Sequence, residues 1–110
     1  MSDRSDDLYL DDISSSITQI SKYVRGLAFG DFKKDQMTID AVVRNIEIIG
    51  EAANNISDRF KKKYKNFPWN RMIGMRNKVI HEYFGVDLEI LWETVKVDLP
   101  ALRKALQKID

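Results

Sequence analysis

Apolar residues recur at alternating spacings of three and four along three stretches of the chain. The stretches are Leu10, Ile13, Ile17, Ile20, Val24 and Leu27; Ile39, Val42, Ile46, Ile49, Ala53, Ile56 and Phe60; and Leu88, Trp92, Val95, Leu99, Leu102, Leu106 and Ile109. This spacing places an apolar stripe along a helix and is typical of antiparallel or coiled-coil-like bundles. No segment alternates apolar and polar residues with a period of two, so the pattern predicts helices and no strands.

Residues with turn and capping chemistry separate the first two stretches. Gly26, Gly30 and Asp31 are expected to close the first helix, because glycine adopts the left-handed conformation common after a helix end. Asp35 or Thr38 is expected to cap the second helix, since a short side-chain oxygen can accept a hydrogen bond from an unpaired amide of the first turn.

A shorter third helix is predicted over residues 68–84. Pro68 suits its first turn, and Gly85 is expected to end it. Asp87 is placed to cap the last helix, which Pro100 should kink or split. The prediction is an all-α fold, an up-and-down bundle of four or five helices that forms a single domain over residues 1–110.

The composition fits a compact helical domain without crosslinks. Apolar residues make up 44% of the chain and charged residues 32%, with no Cys and one His. A Cys nucleophile, a disulfide framework and a zinc site of Cys and His are therefore excluded or disfavoured, and no metal or cofactor is expected. No apolar run approaches a membrane span, and the acidic N-terminus does not resemble a signal peptide, so a cytoplasmic location is expected.

The net charge of +1 conceals a strongly basic segment over residues 59–81. The segment holds eight cationic residues and no Asp or Glu: Arg59, Lys61, Lys62, Lys63, Lys65, Arg71, Arg76 and Lys78. The rest of the chain, with ten Lys or Arg and seventeen Asp or Glu, therefore carries −7. Such a segment can meet a phosphate backbone. For Lys61, Lys62 and Lys63 taken alone, a solvated helix end is the favoured interpretation.

Aromatic residues interleave with this basic segment, and Tyr64 is the one most suited to stack on an unpaired base. Trp69 is instead expected in the core, and Met72 and Met75 look like packing residues. The predicted RNA contacts are Lys61, Lys62, Lys63, Tyr64, Lys65, Arg71 and Lys78.

The basic segment runs directly into the single histidine, His81. On one straight helix, Arg76 and His81 would lie about 140° apart and about 7.5 Å apart along the axis. Either the helix distorts near its end, or two copies of it complete one site. His81 would lie in the last turn, where the helix dipole favours the imidazolium. From its position alone, an ordinary surface or capping residue is the favoured interpretation of His81.

Arg76, Asn77 and His81 could together cleave RNA without a metal. The histidine would activate a 2′-hydroxyl or protonate the leaving 5′-oxygen, and the guanidinium would stabilise the phosphorane-like state. Elsewhere, Glu47 and Glu51 lie one turn apart near Arg44, with Gly50 between them. An intrahelical ion pair and a close helix contact at Gly50 are the simplest interpretation, and a role in shaping the cleft is the alternative.

Residues 76–83 (RNKVIHEY) resemble the signature of the HepT-like branch of the HEPN superfamily: Arg, four residues, His, one residue, Tyr. Residues 72–75 (MIGM), 84–87 (FGVD) and 44–52 (RNIEIIGEA) are similar to that branch too. The resemblance implies a helical bundle that dimerises, so that two motif helices face each other across a basic cleft.

The resemblance also implies a metal-independent RNase, the toxin of a toxin–antitoxin pair whose antitoxin is a minimal nucleotidyltransferase. It makes Arg76 and His81 catalytic, with Asn77 supporting, and Tyr83 the residue that the antitoxin adenylylates. One alternative is a non-catalytic nucleotide-binding or adaptor subunit that serves as the target of such an enzyme. Another is an inert dimerising bundle, which explains the apolar spacing but not the charge asymmetry.

Overall fold

A computed structural model describes residues 5–81, with only the backbone of His81, and residues 85–109. The helices are α1 (Asp6–Val24), α2 (Phe29–Phe32), α3 (Gln36–Asn55), α4 (Asp58–Lys63), α5 (Trp69–Val79), α6 (Leu88–Glu93), a π-helical segment (Thr94–Asp98) and α7 (Leu99–Leu106). The all-α prediction is confirmed. Within the described ranges, no helix combines the length and apolarity needed to cross a membrane.

The core lies where α1, α3 and α5 pack together, with the last helical segments closing one side. The apolar stripes predicted from the spacing face this core. Ile13 in α1 and Val42 and Ile46 in α3 are fully buried, and Leu99 in α7 is 3% exposed. Leu91 in α6, which lies outside the predicted stripe, is fully buried as well. Burying one such side chain contributes about 1.5–3 kcal/mol, so these stripes, rather than helix propensity, hold the bundle together.

The predicted helix caps are found at two positions. The Asp35 carboxylate accepts hydrogen bonds from the Thr38 amide (3.1 Å) and the Thr38 hydroxyl (2.7 Å) at the start of α3. These bonds, the hydroxyl bond foremost, lower the pKa of Asp35 below its ordinary value of 3.8. The charged cap therefore stabilises the fold above that value and is lost as the pH falls through the lowered pKa. Asp87 caps α6 through the Ile90 amide.

The second apolar stretch forms two helices rather than one. α3 ends at Asn55, Ile56 is extended, and Ser57 begins α4 by accepting a hydrogen bond from the Phe60 amide. The carboxylate of Asp6 accepts further bonds from the amide and hydroxyl of Ser57, which ties the start of α1 to the start of α4. The break at residue 56 leaves the spacing of three and four unchanged, so periodicity alone does not reveal it.

The first helix ends as predicted near Gly26, which has a φ of 77°, but Gly30 and Asp31 lie inside the short helix α2. The predicted extent of the third helix is wrong at its end. α5 stops at Val79, and Ile80–His81 (β1) pairs antiparallel with Gly85–Val86 (β2). The expectation of no strands is therefore wrong at this point.

Two features of the backbone explain the short hairpin. Gly85 has a φ of 77°, a conformation that favours glycine, and the Asp87 amide donates a 2.8 Å bond to the Val79 carbonyl. Gly85 thus belongs to β2 and does not follow a helix end. The helical offset between Arg76 and His81 does not apply, because His81 lies beyond the helix.

The last helix is irregular before Pro100, as its sequence predicts, yet it does not break. Residues 94–98 form a π-helical turn in which the Leu99 amide donates to the Thr94 carbonyl, five residues back. Proline cannot donate to the residue four back and its ring crowds that carbonyl. The π-turn shifts the hydrogen-bond register ahead of Pro100, so helical structure continues without interruption from Leu88 to Leu106.

Candidate active site

Helix α5 carries the predicted catalytic arginine on its exposed side. Its buried side is formed by Trp69, Met72, Met75 and Val79, so the assignment of Trp69 to the core and of both methionines to packing is confirmed. This buried side lies against Gly50 of α3. A Cβ atom at residue 50 would lie 3.3 Å from the Met72 carbonyl oxygen, so the predicted close helix contact is confirmed.

Arg76 and Asn77 are neighbours on the exposed face of α5, and the guanidinium donates a long hydrogen bond (3.4 Å) to the Asn77 side-chain oxygen. The supporting role of Asn77 stays a prediction. Within the part of the chain that the structure describes, Arg76 makes no ion pair with a carboxylate. Its charge therefore faces solvent, where an anionic substrate could reach it.

Of the other two predicted motif residues, the structure describes only the backbone of His81 and does not describe Tyr83. The backbone of His81 lies in β1, two residues beyond the end of α5, but its side chain lies outside the described residues. Tyr83 also lies outside them. The catalytic role of His81 and the modification of Tyr83 therefore stay predictions.

Two predicted RNA-binding cations share a partner that the sequence analysis missed. Arg71 (3.1 Å) and Lys78 (3.4 Å) both contact the carboxylate of Asp98 in the π-helical segment, and Asp98 is only 9% exposed. The charges of Arg71 and Lys78 are thus partly neutralised within the chain. Asp98 follows buried Val95 by three residues and precedes buried Leu102 by four, so its place on an apolar face was a signal in the sequence.

The remaining predicted RNA contacts lie around the end of α4. Lys62, Lys63 and Lys65 are exposed, and Lys61 and Tyr64 are half-buried. The ammonium of Lys63 lies 5.3 Å from the centre of the Tyr64 ring. These residues form a second basic surface, at the opposite end of α5 from Arg76.

The cluster of Arg44, Glu47 and Glu51 on α3 does not contain the expected ion pair within the described residues. In the described ranges, Arg44 makes no ion pair with Glu47 or Glu51, contrary to the simplest interpretation of that cluster. Nor do any three His, Asp or Glu side chains among the described residues lie close enough together to hold a metal ion.

Comparison with known proteins covers almost the whole chain. The family model "Ribonuclease HepT-like" matches residues 13–109. The chain is 46% identical over 101 residues to a protein of Thermococcus cleftensis named "Probable ribonuclease HepT", with 92% of each chain covered. It is 43% identical to a protein of Caldanaerobacter subterraneus subsp. tengcongensis that is named by inference as an RNase, covering 92% of this chain and 90% of that one.

A third relative, from Methanocaldococcus jannaschii and also named by inference as an RNase, is 38% identical over 107 residues, or 97% of this chain and 98% of its own length. No solved structure gave a significant match to the chain. The helical architecture, the exposed Arg76 on α5 and a family match over residues 13–109 agree with one another. The chain belongs to the HepT-like ribonuclease family.

Proposed function

We propose that this chain is a metal-independent endoribonuclease, the toxin of a toxin–antitoxin pair, with Arg76 and His81 as its catalytic residues. The observation that carries the proposal is the exposed guanidinium of Arg76 on the face of α5, within a family named for a ribonuclease. Arg71 and Lys78 on the same helix are held by Asp98, which leaves Arg76 as the cation of that helix best placed for a phosphate.

The chemistry follows from the two side chains. The imidazole of His81 removes the proton of a 2′-hydroxyl. The 2′-oxygen then forms a bond to phosphorus, and the bond between phosphorus and the 5′-oxygen breaks. The imidazolium of His81 supplies the proton to the leaving 5′-oxygen. The Arg76 guanidinium neutralises the charge that builds on the phosphoryl oxygens. The products are a 2′,3′-cyclic phosphate and a 5′-hydroxyl.

The purified chain is expected to cleave RNA in the presence of EDTA. The basic segment over residues 59–81 contains no carboxylate and the chain has a single His, so the proposed chemistry relies on no metal ligands. Cleavage is checked by gel electrophoresis, with end-group analysis of the products. Loss of wild-type cleavage on adding EDTA, or a 5′-phosphate product, would contradict the mechanism. A chain without RNase activity that is still adenylylated would favour the adaptor alternative.

We propose further that the active enzyme is a homodimer in which two α5 helices pack together. Gly74 supports this arrangement, because it lies exposed in the middle of α5 and a Cβ atom there would meet no atom of the chain within 4 Å. An exposed glycine in a helix costs about 1 kcal/mol relative to alanine. A second copy packed closely at Gly74 would offset this cost.

Gly74→Leu is expected to give a monomer with reduced RNase activity, because the larger side chain separates the two helices. Analytical ultracentrifugation at micromolar concentration measures the oligomeric state. Gly30→Leu is the matched control, since Gly30 is also exposed in a helix and open on its Cβ side. If Arg76 of one chain acts with His81 of the other, mixed Arg76→Ala and His81→Ala chains should regain activity. A wild-type monomer with full activity would contradict the dimer.

Control of the toxin is proposed to act through Tyr83, the adenylylation site that the family resemblance implies. A nucleotide on this phenol adds bulk and a negative phosphodiester close in sequence to His81, which would exclude RNA. Incubation with a cognate minimal nucleotidyltransferase and ATP should add one or more AMP masses and silence the RNase. Tyr83→Phe should remain active under the same treatment. Neutralisation of the wild-type chain without a mass change would instead show control by binding alone.

A further inference from the structure

A cavity of about 380 Å³ lies where the end of α4 meets the end of α7. One wall is the turn that follows α4, and the other is the last part of the chain around Ala105 and Lys108. Its volume falls within the range of small-molecule sites in proteins. Residues separated by about forty positions in sequence thus form one recess, at the opposite end of α5 from Arg76.

The rim of this cavity is basic. Lys63, Lys65 and Lys108 line it, and no acidic residue does so among the described residues. A lysine near the carboxyl end of a helix stabilises the helix dipole, but that role requires neither a cavity nor an aromatic wall. The charge is complementary to a polyanion that enters from solvent.

The wall of the cavity is aromatic and held in place. Tyr64 is half-buried and packs against Phe60 at a ring distance of 4.8 Å, and Phe67 packs against Trp69 at 4.5 Å. The Trp69 indole nitrogen donates a 3.0 Å bond to the Tyr64 carbonyl, which ties the turn to the start of α5. Ordered rings offer a stacking surface at little cost in conformational entropy.

We infer that this cavity binds one unpaired nucleobase of the RNA substrate, with its flanking phosphates on the lysines. An aromatic wall with cations around it is the combination that holds single-stranded nucleic acid without sequence preference. Asn66 also lines the cavity, and an amide side chain can form hydrogen bonds with the edge of a base. An acidic peptide would use the lysines but would leave the aromatic wall without a function.

The inference rests on the proposed RNase function and adds a second contact to it. Trp69 begins α5 beside the cavity, and Arg76 follows seven residues later, or about 10 Å along the helix axis. A single strand held at the cavity can therefore continue toward Arg76 within a few nucleotides. The basic segment would guide the strand, and the base in the cavity would set its position.

The test compares two labelled 2′-O-methyl oligonucleotides of one length, one with bases and one abasic, because neither carries the attacking 2′-hydroxyl. The full-length wild type should bind the base-bearing probe more tightly. Tyr64→Leu should weaken its binding by about 10-fold and leave the abasic probe unaffected, whereas Tyr64→Phe should keep the preference. Ala105→Leu narrows the cavity from α7 without removing or adding an aromatic ring, so it should weaken the preference in a chain whose thermal unfolding shows it to be folded.

The lysines are tested by the salt dependence of binding. Lys108→Gln should reduce the slope of log affinity against log salt by about one for both probes, since one phosphate contact is lost. Lys22→Gln is the control. Asp6 places the start of α1 at α4, and Lys22 lies about 24 Å further along α1, away from the cavity. An unchanged slope for Lys108→Gln would overturn the phosphate contact.

Equal binding of both probes by the wild type, or an unchanged preference in folded Tyr64→Leu and Ala105→Leu chains, would overturn the inference. Cleavage of unmodified RNA is measured in parallel. A wild type that cuts RNA but shows no base preference would refute base binding in the cavity and still support the proposed RNase activity. A wild type that shows the preference but cuts no RNA would refute the proposed RNase and leave the cavity as a nucleic-acid site.

Discussion

Arg76→Ala is expected to lower kcat for RNA cleavage by about 100- to 1000-fold, the loss typical of removing a group that stabilises transition-state charge. Thermal stability should change little, because Arg76 is exposed and its side chain hydrogen-bonds only with Asn77 among the described residues. Arg76→Lys should recover part of the rate, since an ammonium keeps the charge but cannot bind phosphate in a bidentate manner. Single-turnover kinetics on a defined RNA measure both variants.

His81→Ala should be at least as damaging, and its pH–rate profile should lose the limb set by the imidazole. The matched controls are Arg71→Gln and Lys78→Gln, which lie on the same helix but contact Asp98. They are expected to raise KM modestly and to leave kcat near the wild-type value. Full activity in either the Arg76→Ala or the His81→Ala chain would rule out the proposed catalytic pair.

Gly50→Val is expected to destabilise the fold by about 2 kcal/mol, because it inserts a branched side chain where helices α3 and α5 nearly touch. Even a Cβ atom would lie 3.3 Å from the Met72 carbonyl oxygen and 3.5 Å from that of Ile73, both in the backbone of α5. Since α5 carries Arg76, the displacement should also lower kcat in the fraction that remains folded. Urea unfolding and the cleavage assay together measure the two effects.

Gly50→Ala should have a smaller effect, because a gain in helix propensity of about 1 kcal/mol opposes the tight contact. The control is Gly30→Val, where no atom of the chain lies within 4 Å of the added Cβ and the change should stay within about 0.5 kcal/mol. A Gly50→Val chain as stable as the wild type would show that α5 can move away from α3 without cost.

The sequence by itself determines the elements that depend on local interactions. The spacing of Ile13, Ile17 and Ile20 in α1 predicts a helix and its buried side, because both follow from 3.6 residues per turn. Asp35 and Asp87 are predictable as caps, since each bonds an amide only three residues away. The all-α fold needs nothing more.

The end of α5 depends on a contact that no local pattern records. Periodicity extends the helix through His81 to residue 84, whereas the Asp87 amide closes the hairpin on the Val79 carbonyl, eight residues back. The break between α3 and α4 is similar, because Asp6, 51 residues away, binds the amide and hydroxyl of Ser57. A helix boundary is decided by such competing partners, and these are found only once the chain has folded.

The candidate site divides in the same way. Residue types and spacing place Arg71, Arg76 and Lys78 together on a basic helix, but they do not indicate which of the three cations is paired within the chain. The tertiary structure distinguishes them, because Asp98 lies 27 residues after Arg71 and 20 after Lys78 and reaches both from the π-helical segment. Like the basic cavity between α4 and α7, this pairing requires segments distant in the chain to pack side by side. Only packing decides which charges are neutralised and which remain open to substrate.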